Sequence, residues 1–367
     1  MDTRTEEDIT EEELIENLED KENKLSQQDD YNEIPPSDIV SFNELRSCAE
    51  LVRMYQTNQI VIKPEFQRDV VWSKPSKTRF VDSLVKQLPV PSMCISLDYK
   101  TDERLVIDGL QRIDTIISFL MKDNVALSRL DDVDERISGK TPLQIKKEHP
   151  DIYSRFQNLM IPITVIRCDY SKKNHKNFLF KIFHRLNTGG NKLTNQEIRN
   201  CIYQGKFNNL LMSLVTYPKF RKLYRLEDDK TYRFAYEELI LRFFALYETY
   251  ESYNGSLARY LNDYMYDHKE DDSNIKKGLF YRVVDLMVSI FENYEQESRL
   301  SKALSEALFV GIGKNIEKLE KEDKKALLHR FTALRDDDNF STDSLKSGLS
   351  KKESVTKRIK RAVEIFS

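Results

Sequence analysis

The residues best suited to chemistry lie in one short segment, Asp108-Gly109-Leu110-Gln111-Arg112, between an apolar run and an amphipathic stretch. The apolar residues before Asp108 predict a strand, and the helical spacing after it predicts a helix. We expect Asp108 to be the N-cap of that helix and Gln111 to complete a capping box. The unpaired N–H groups and the dipole of a helix start favour an anion, which Gly109 would let approach closely and Arg112 would neutralise. Because an Asp-Gly pair is also common as a cap alone, the segment leaves both interpretations open.

Two other predicted elements end in polar side chains. Gln67 and Arg68 follow a short β-branched run at residues 59–62, and Asn187 follows a helix predicted over 174–186. Gln67 and Arg68 could contact a nucleotide or a base edge, or they could tie their loop to the backbone. Asn187 could donate to a bound ligand or be the C-cap of its helix. Residue types alone do not choose between these roles.

The pattern of apolar residues divides the chain into a mixed part and a helical part. Strands are predicted at 59–62, 93–97, 105–107 and 161–166, with helices between them. A capping box at residues 41–44 predicts an earlier helix, and the charged residues 122–140 predict a surface insertion. From Leu193 onward apolar residues recur at helical spacing. The expected fold class is α+β, with a small mixed sheet in a domain at 37–190 and an all-helical domain at 191–367.

The first 36 residues differ in charge from the rest of the chain. Residues 1–36 contain 14 acidic and 3 basic residues, a net charge of −11, whereas the whole chain has a net charge of −3. The remainder therefore carries +8, which is −3 minus −11. We expect residues 1–36 to be an acidic disordered tail, either simply solvated or shielding a basic groove as a nucleic-acid mimic. A mildly basic body is compatible with DNA contact.

Composition excludes several classes of protein. No apolar run approaches the roughly 18 residues that a membrane helix needs, and the acidic N-terminus is unlike a secretory signal. Cys48, Cys94, Cys168 and Cys201 are widely separated, which indicates reduced thiols rather than a disulfide framework or a zinc site. The sequence also lacks a P-loop and a pair of histidines at metal-ligand spacing. We therefore expect a cytoplasmic protein and assign no metal ligands.

Four separated motifs occur together in the chain. They lie at residues 64–72, 106–112, 183–190 and 193–200. Their order resembles the N-terminal domain of GmrSD-type modification-dependent restriction enzymes, over about residues 40–215. That family motif reads Asp-Gly-Gln-Gln-Arg, whereas position 110 here is Leu, so a polar role at this position is not expected for Leu110.

The resemblance implies a ParB/sulfiredoxin-like fold in a nucleotide-binding, NTP-hydrolysing subunit that acts with DNA. Such a subunit is the sensor of a bacterial anti-phage or modification-dependent restriction system. Asp108 and Arg112 would be catalytic, and the ligand would be a nucleoside triphosphate with Mg²⁺. The implied nucleotide-binding residues are Gln67, Arg68, Asp108, Gly109, Gln111, Arg112 and Asn187. A partner nuclease chain and an oligomer would both be compatible with this role.

Two other functions are alternatives to this one. The first is a non-catalytic module that holds a nucleotide or DNA as a switch for a partner nuclease, and release of phosphate would distinguish it from an NTPase. The second is a ParB-like nuclease. In each case we expect Arg112 to be a surface residue whose removal hardly affects folding.

Overall fold

The computed structural model describes residues 35–62, 72–186, 193–228, 230, 232–271, 274–291 and 300–367. Within them the chain forms two compact units, one ending at Ile202 and the other beginning at Tyr203. The sequence places the domain boundary at residue 190, and the structure places it after the short helix Asn195–Ile202.

The N-terminal unit is built on a five-stranded mixed sheet. Its strands are β1 (Val40–Ser47), β2 (Ile60–Val61), β3 (Met93–Asp98), β4 (Arg104–Asp108) and β5 (Met160–Cys168). They are ordered β1-β5-β3-β4-β2, so that β1 lies at one edge and β5 lies inside. The pairs β1/β5 and β3/β4 are antiparallel, and the pairs β5/β3 and β4/β2 are parallel. The predicted small mixed sheet is therefore confirmed.

Seven helices accompany this sheet in the described residues. They are α1 (Cys48–Gln56), α2 (Lys74–Val85), α3 (Leu110–Met121), α4 (Pro142–Glu148), α5 (Pro150–Asn158), α6 (Lys173–Leu186) and α7 (Asn195–Ile202). Ile163 and Val165 of β5 and Ile113 and Ile116 of α3 are buried in one hydrophobic core. This core joins helices α1–α5 to one face of the sheet, because alternate residues of a strand point to the same face.

The helix predicted from a capping box at residues 41–44 begins later than expected, at Cys48, because residues 40–47 form a strand. All of β1 pairs with β5, from Val40 opposite Arg167 to Ser47 opposite Met160. The N-cap of α1 is Ser47, whose side chain accepts from the N–H of Glu50 at 3.1 Å. Pairing with a distant strand outweighs a local capping signal, because it satisfies the backbone of the whole segment.

Residues 122–140 belong partly to the core, which corrects the expectation of a surface insertion. Val133 and Ile137 are buried in the hydrophobic core of the unit. Two buried polar side chains of α2 also hold the segment: Thr78 Oγ1 accepts from the N–H of Ser128, and Asp82 Oδ1 accepts from the N–H of Asp134, each at 2.9 Å. The segment is rich in charged residues, but Val133 and Ile137 pack in the core and hold it against the unit.

The described residues of the C-terminal unit form helices and contain no strand, which confirms the predicted helical half. The helices are α8 (Lys206–Val215), α9 (Pro218–Leu223), α10 (Ala235–Thr249), α11 (Leu257–Asp267), α12 (Asn274–Phe291), α13 (Lys302–Lys314), α14 (Ile316–Leu319), α15 (Lys324–Arg335), α16 (Thr342–Gly348) and α17 (Lys352–Phe366). Phe220, Phe243, Phe280 and Phe309 pack together in the core of this unit. Across the described part of the chain, every helix is too short or too polar to cross a membrane.

Candidate functional site

The candidate site begins where β4 ends at Asp108 and α3 begins at Leu110. Gly109, between them, has φ of 94° and ψ of 15°, in the left-handed region that side chains other than glycine rarely adopt. A Cβ on Gly109 would also lie 2.9 Å from Cγ of the buried Met93. Both the backbone angle and the close packing therefore require glycine at this turn.

Asp108 is not the N-cap of α3, contrary to the sequence prediction. Gly109 occupies that position, and the helix has no side-chain cap. The carboxylate of Asp108 instead accepts from Arg112, with 2.7 Å between Oδ2 and Nη2. The reason is that Asp108 still belongs to the sheet, opposite Cys94, and the turn follows it at Gly109. The N–H groups of the first helical turn are consequently left without a side-chain partner from the capping position.

Arg112 is a partly buried residue that holds two neighbours, which corrects the expectation of a surface arginine. One of its terminal nitrogens, Nη1, donates to the carbonyl of Pro91, and Nη2 donates to Asp108. The Arg112 side chain is 13% exposed, and that of Asp108 is 38% exposed. The guanidinium group is therefore held in place beside the start of α3, with a part of the side chain still open to solvent.

Gln111 also has a different role from the predicted capping box. Its Oε1 accepts from the backbone N–H of Trp72 at 3.0 Å. The Trp72 ring lies edge-on against Phe80 of α2, with 5.3 Å between ring centroids. Gln111 thus ties the start of α3 to the start of α2. The neighbouring Leu110 packs against the hydrophobic core, which agrees with an apolar residue at that position.

The structure brings four predicted site residues together and leaves three undecided. Asp108, Gly109, Gln111 and Arg112 are consecutive or nearly so around the strand end. Gln67, Arg68 and Asn187 lie outside the described residues. The sequence did not predict the role of Pro91, whose carbonyl accepts from Arg112, because every residue has a backbone carbonyl.

The electrostatics of the site leave Cys94 as a neutral thiol. Burial raises the pKa of Cys94 to about 12, and the charge of Asp108 opposite it acts in the same direction. A thiol with such a pKa is a poor nucleophile near neutral pH. Among the described residues, histidine, cysteine, aspartate and glutamate side chains form no group of three that could hold a metal ion.

The fold and the site define an α+β domain with an Asp-Gly turn between a sheet strand and an uncapped helix that carries glutamine and arginine. Residues 48–204 match the family model described as GmrSD restriction endonuclease, N-terminal domain. The resemblance predicted from the four motifs is thereby confirmed, and the match indicates a component of a restriction system. No curated protein matches the chain, and no solved structure does.

Proposed function

We propose that the strand-end site binds the phosphate groups of a nucleoside triphosphate. In this proposal the chain hydrolyses the triphosphate as the DNA-associated sensor of a bacterial restriction system. The observation that carries the proposal is the start of α3, where Gly109 leaves the first helical turn uncapped beside Arg112. A helix start with free N–H groups and a nearby arginine suits a phosphate. The family match supports the restriction role.

Asp108 and Pro91 would orient Arg112 toward the phosphates. Two of the guanidinium N–H groups are engaged by these partners, and an arginine has further donors that can meet an anion. A preorganised cation loses less side-chain entropy on binding than a mobile one does. The arrangement therefore favours binding without a large rearrangement of the site.

Asp108 is also the residue that would hold Mg²⁺. Magnesium is commonly bound by one or two carboxylates together with the phosphate oxygens of the substrate. Asp108 Oδ2 accepts from Arg112, so Oδ1 is the oxygen that would meet the metal. When bound, the metal would neutralise phosphate charge during hydrolysis. The role of the protein would be to position Asp108, Arg112 and the helix N–H groups around that charge.

A non-catalytic switch is the second candidate, and the Asp108–Arg112 ion pair is the observation that favours it. A carboxylate that already accepts from arginine has one oxygen fewer with which to hold a metal ion or a water molecule. Such a chain would bind nucleotide, and DNA or a partner nuclease would respond to the bound state. Turnover distinguishes the two candidates.

The test is titration of the full chain with each of the four nucleoside triphosphates, with and without Mg²⁺, followed by an assay for released phosphate. Binding with phosphate release is the expected result. Binding without release would favour the switch. A chain that binds none of the four would overturn the proposal.

A further inference from the structure

A row of paired residues leads from the candidate site to β1, the edge strand of the described sheet. Asp108 of β4 lies opposite Cys94 of β3, Cys94 opposite Thr164 of β5, and Thr164 opposite Asn43 of β1. Cys94, Thr164 and Asn43 share one face of the sheet, because paired residues of neighbouring strands point to the same side. This face is opposite the one on which Ile163 and Val165 enter the hydrophobic core.

Hydrogen bonds join the outer part of this row. The hydroxyl groups of Ser92 and Thr164 lie 3.2 Å apart, and Thr164 Oγ1 donates to Asn43 Oδ1 at 2.9 Å. Ser92 directly follows Pro91, whose carbonyl accepts from Arg112. We call Ser92, Thr164 and Asn43 the polar strip. It is continuous with the residues that hold Arg112.

Apolar side chains lie beside the polar strip on the same face. Leu45 pairs with Pro162, and the next pair on that face is Ser47 with Met160. Leu45 is 59% exposed and Met160 is 49% exposed. We call Leu45, Pro162 and Met160 the apolar platform. The same face is closed at β3, where the side chains are buried, and opens toward β1.

We infer that the polar strip and the apolar platform bind the sugar and base of the nucleotide whose phosphates lie at Gly109. This inference rests on the proposed function and adds the nucleoside side of the same site. Three steps between neighbouring strands separate Asp108 from Asn43, a span of about 14 Å. Hydroxyl and amide groups suit the hydroxyls of a sugar and the edge of a base, and exposed apolar carbon suits the face of a base. Inorganic phosphate alone would use neither surface.

Asn43 is the residue of the polar strip that would form a hydrogen bond with the base or the sugar. Its Oδ1 accepts from Thr164, and its Nδ2 has no acceptor among the described residues, so Nδ2 can donate to an acceptor on the ligand. Thr164 and Ser92 hold the amide in that orientation. The strip would therefore distinguish nucleosides by the acceptors that they present.

The test compares nucleoside triphosphates with inorganic tripolyphosphate as ligands of the full chain, using calorimetric titration. Asn43→Ala and Leu45→Ala should each weaken binding of the preferred nucleoside triphosphate by about three- to tenfold and leave tripolyphosphate binding unchanged. Arg112→Lys should weaken binding of both ligands. Phe42→Ala is the matched control, because Phe42 is an exposed apolar residue of β1 that points to the opposite face. It should bind both ligands as wild type does.

The possible outcomes separate this inference from the proposed function. If Asn43→Ala and Leu45→Ala bind triphosphates as tightly as wild type does, the proposed nucleoside contacts are wrong and the phosphate site stands. If wild type binds neither ligand, both proposals fail together. If the variants keep triphosphate affinity and lose affinity for a single-stranded oligonucleotide, the face belongs to nucleic acid and the inference is overturned. Thermal melts establish that each variant is folded, and the two variants lie at positions exposed enough to tolerate alanine.

Discussion

Arg112 combines a structural role with a proposed binding role. Its guanidinium group donates to Pro91 and to Asp108, and it would also meet the phosphate. Because the side chain is mostly buried, its removal would leave a carboxylate and a carbonyl without their donor. A change at this residue should therefore affect both folding and binding, and the two effects need separate measurements.

We expect Arg112→Ala to weaken nucleoside triphosphate binding by roughly ten- to a hundredfold, since hydrogen bonds to charged groups contribute about 1.5–3 kcal/mol. The same variant should lower the free energy of unfolding by about 1–2 kcal/mol, because Asp108 loses its partner. Arg112→Lys should recover part of the affinity, because a point charge cannot replace the planar fork. Calorimetric titration and urea unfolding measure the two effects.

Arg79→Ala is the control for that comparison. Arg79 forms an exposed pair with Asp132, at 2.7 Å between Nε and Oδ2, and both side chains are more than half exposed. Loss of this exposed pair should change stability by less than about 1 kcal/mol and leave nucleotide affinity unchanged. An Arg112→Ala variant that binds nucleotide as tightly as wild type would remove Arg112 from the site.

Gly109→Ala should destabilise the chain by about 1–3 kcal/mol, because its φ of 94° is strained for alanine and the added Cβ would meet Met93. Gly278→Ala is a matched control with the opposite expected sign. Gly278 lies within α12 with open space where a Cβ would be placed, so alanine should stabilise the helix by up to about 1 kcal/mol. Urea unfolding of both variants gives the comparison, and equal effects would contradict the role assigned to the turn.

Three helices of the C-terminal unit meet at a cluster of ionisable side chains. Glu248 at the end of α10 contacts Lys276 of α12, accepts from Tyr264 Oη of α11 at 2.8 Å and lies 3.2 Å from His268 Nε2. The other ring nitrogen of His268, Nδ1, lies 3.0 Å from the carbonyl of Tyr264. Since both ring nitrogens face acceptors, the doubly protonated imidazole fits this position best.

The cluster should make the stability of this unit depend on pH. The hydrogen bond to Glu248 raises the pKa of His268 above its usual value of 6.5, although burial opposes it. The contribution of His268 to the free energy of unfolding is therefore fully present below pH 6.5 and is lost as pH rises through the higher pKa of the folded state. For Glu248, burial opposes the shift, but hydrogen bonds from His268, Lys276 and Tyr264 lower its pKa to about 2. That contribution is present above pH 4.5 and is lost as pH falls toward 2.

We expect His268→Gln to reduce the loss of melting temperature between pH 6 and pH 8.5 relative to wild type. The effect should stay below about 1 kcal/mol, since His268 is partly exposed and solvent screens its charge. Melting curves of both proteins across this range measure the difference. Parallel curves for wild type and variant would show that His268 does not titrate with folding.

Charge is distributed unevenly along the whole chain. Residues 1–36 carry −11 and the remainder carries +8, so residues 1–36 alone make the chain net acidic. If the protein acts on DNA, as we propose, the two regions have opposite effects on its affinity, because DNA attracts cations and repels anions.

Deletion of residues 1–36 should therefore raise the affinity of the chain for double-stranded DNA at low salt. The difference should shrink as salt rises toward 1 M, where charges farther apart than roughly 3 Å are screened, and this salt series is the internal control. Fluorescence anisotropy with a labelled duplex measures both. Equal affinities at low salt would show that the tail does not influence DNA binding.

Local sequence was sufficient to predict the class of fold and the position of the candidate turn. The strands β3, β4 and β5 and the helix after Gly109 follow from apolar periodicity, which each segment displays by itself. The same local signals predicted helix caps at residues 41–44 and at Asp108 that the structure does not contain. A capping signal reports the conformation that a segment favours in isolation. In the folded chain both segments instead pair with neighbouring strands of the sheet.

Only the tertiary structure decided which side chains meet. Thr164 is 121 residues from Asn43 and 72 residues from Ser92, yet strand register brings the three together. Register depends on which strands pair, and that choice is made by burial of Ile163 and Val165 against distant helices rather than by the strip itself. The ion pair of Asp108 with Arg112 could have been predicted from the sequence, because the two residues are four positions apart. The hydrogen bond from Arg112 to the carbonyl of Pro91 could not. A carbonyl has the same chemistry in every residue, so folding alone selects the one that Arg112 binds.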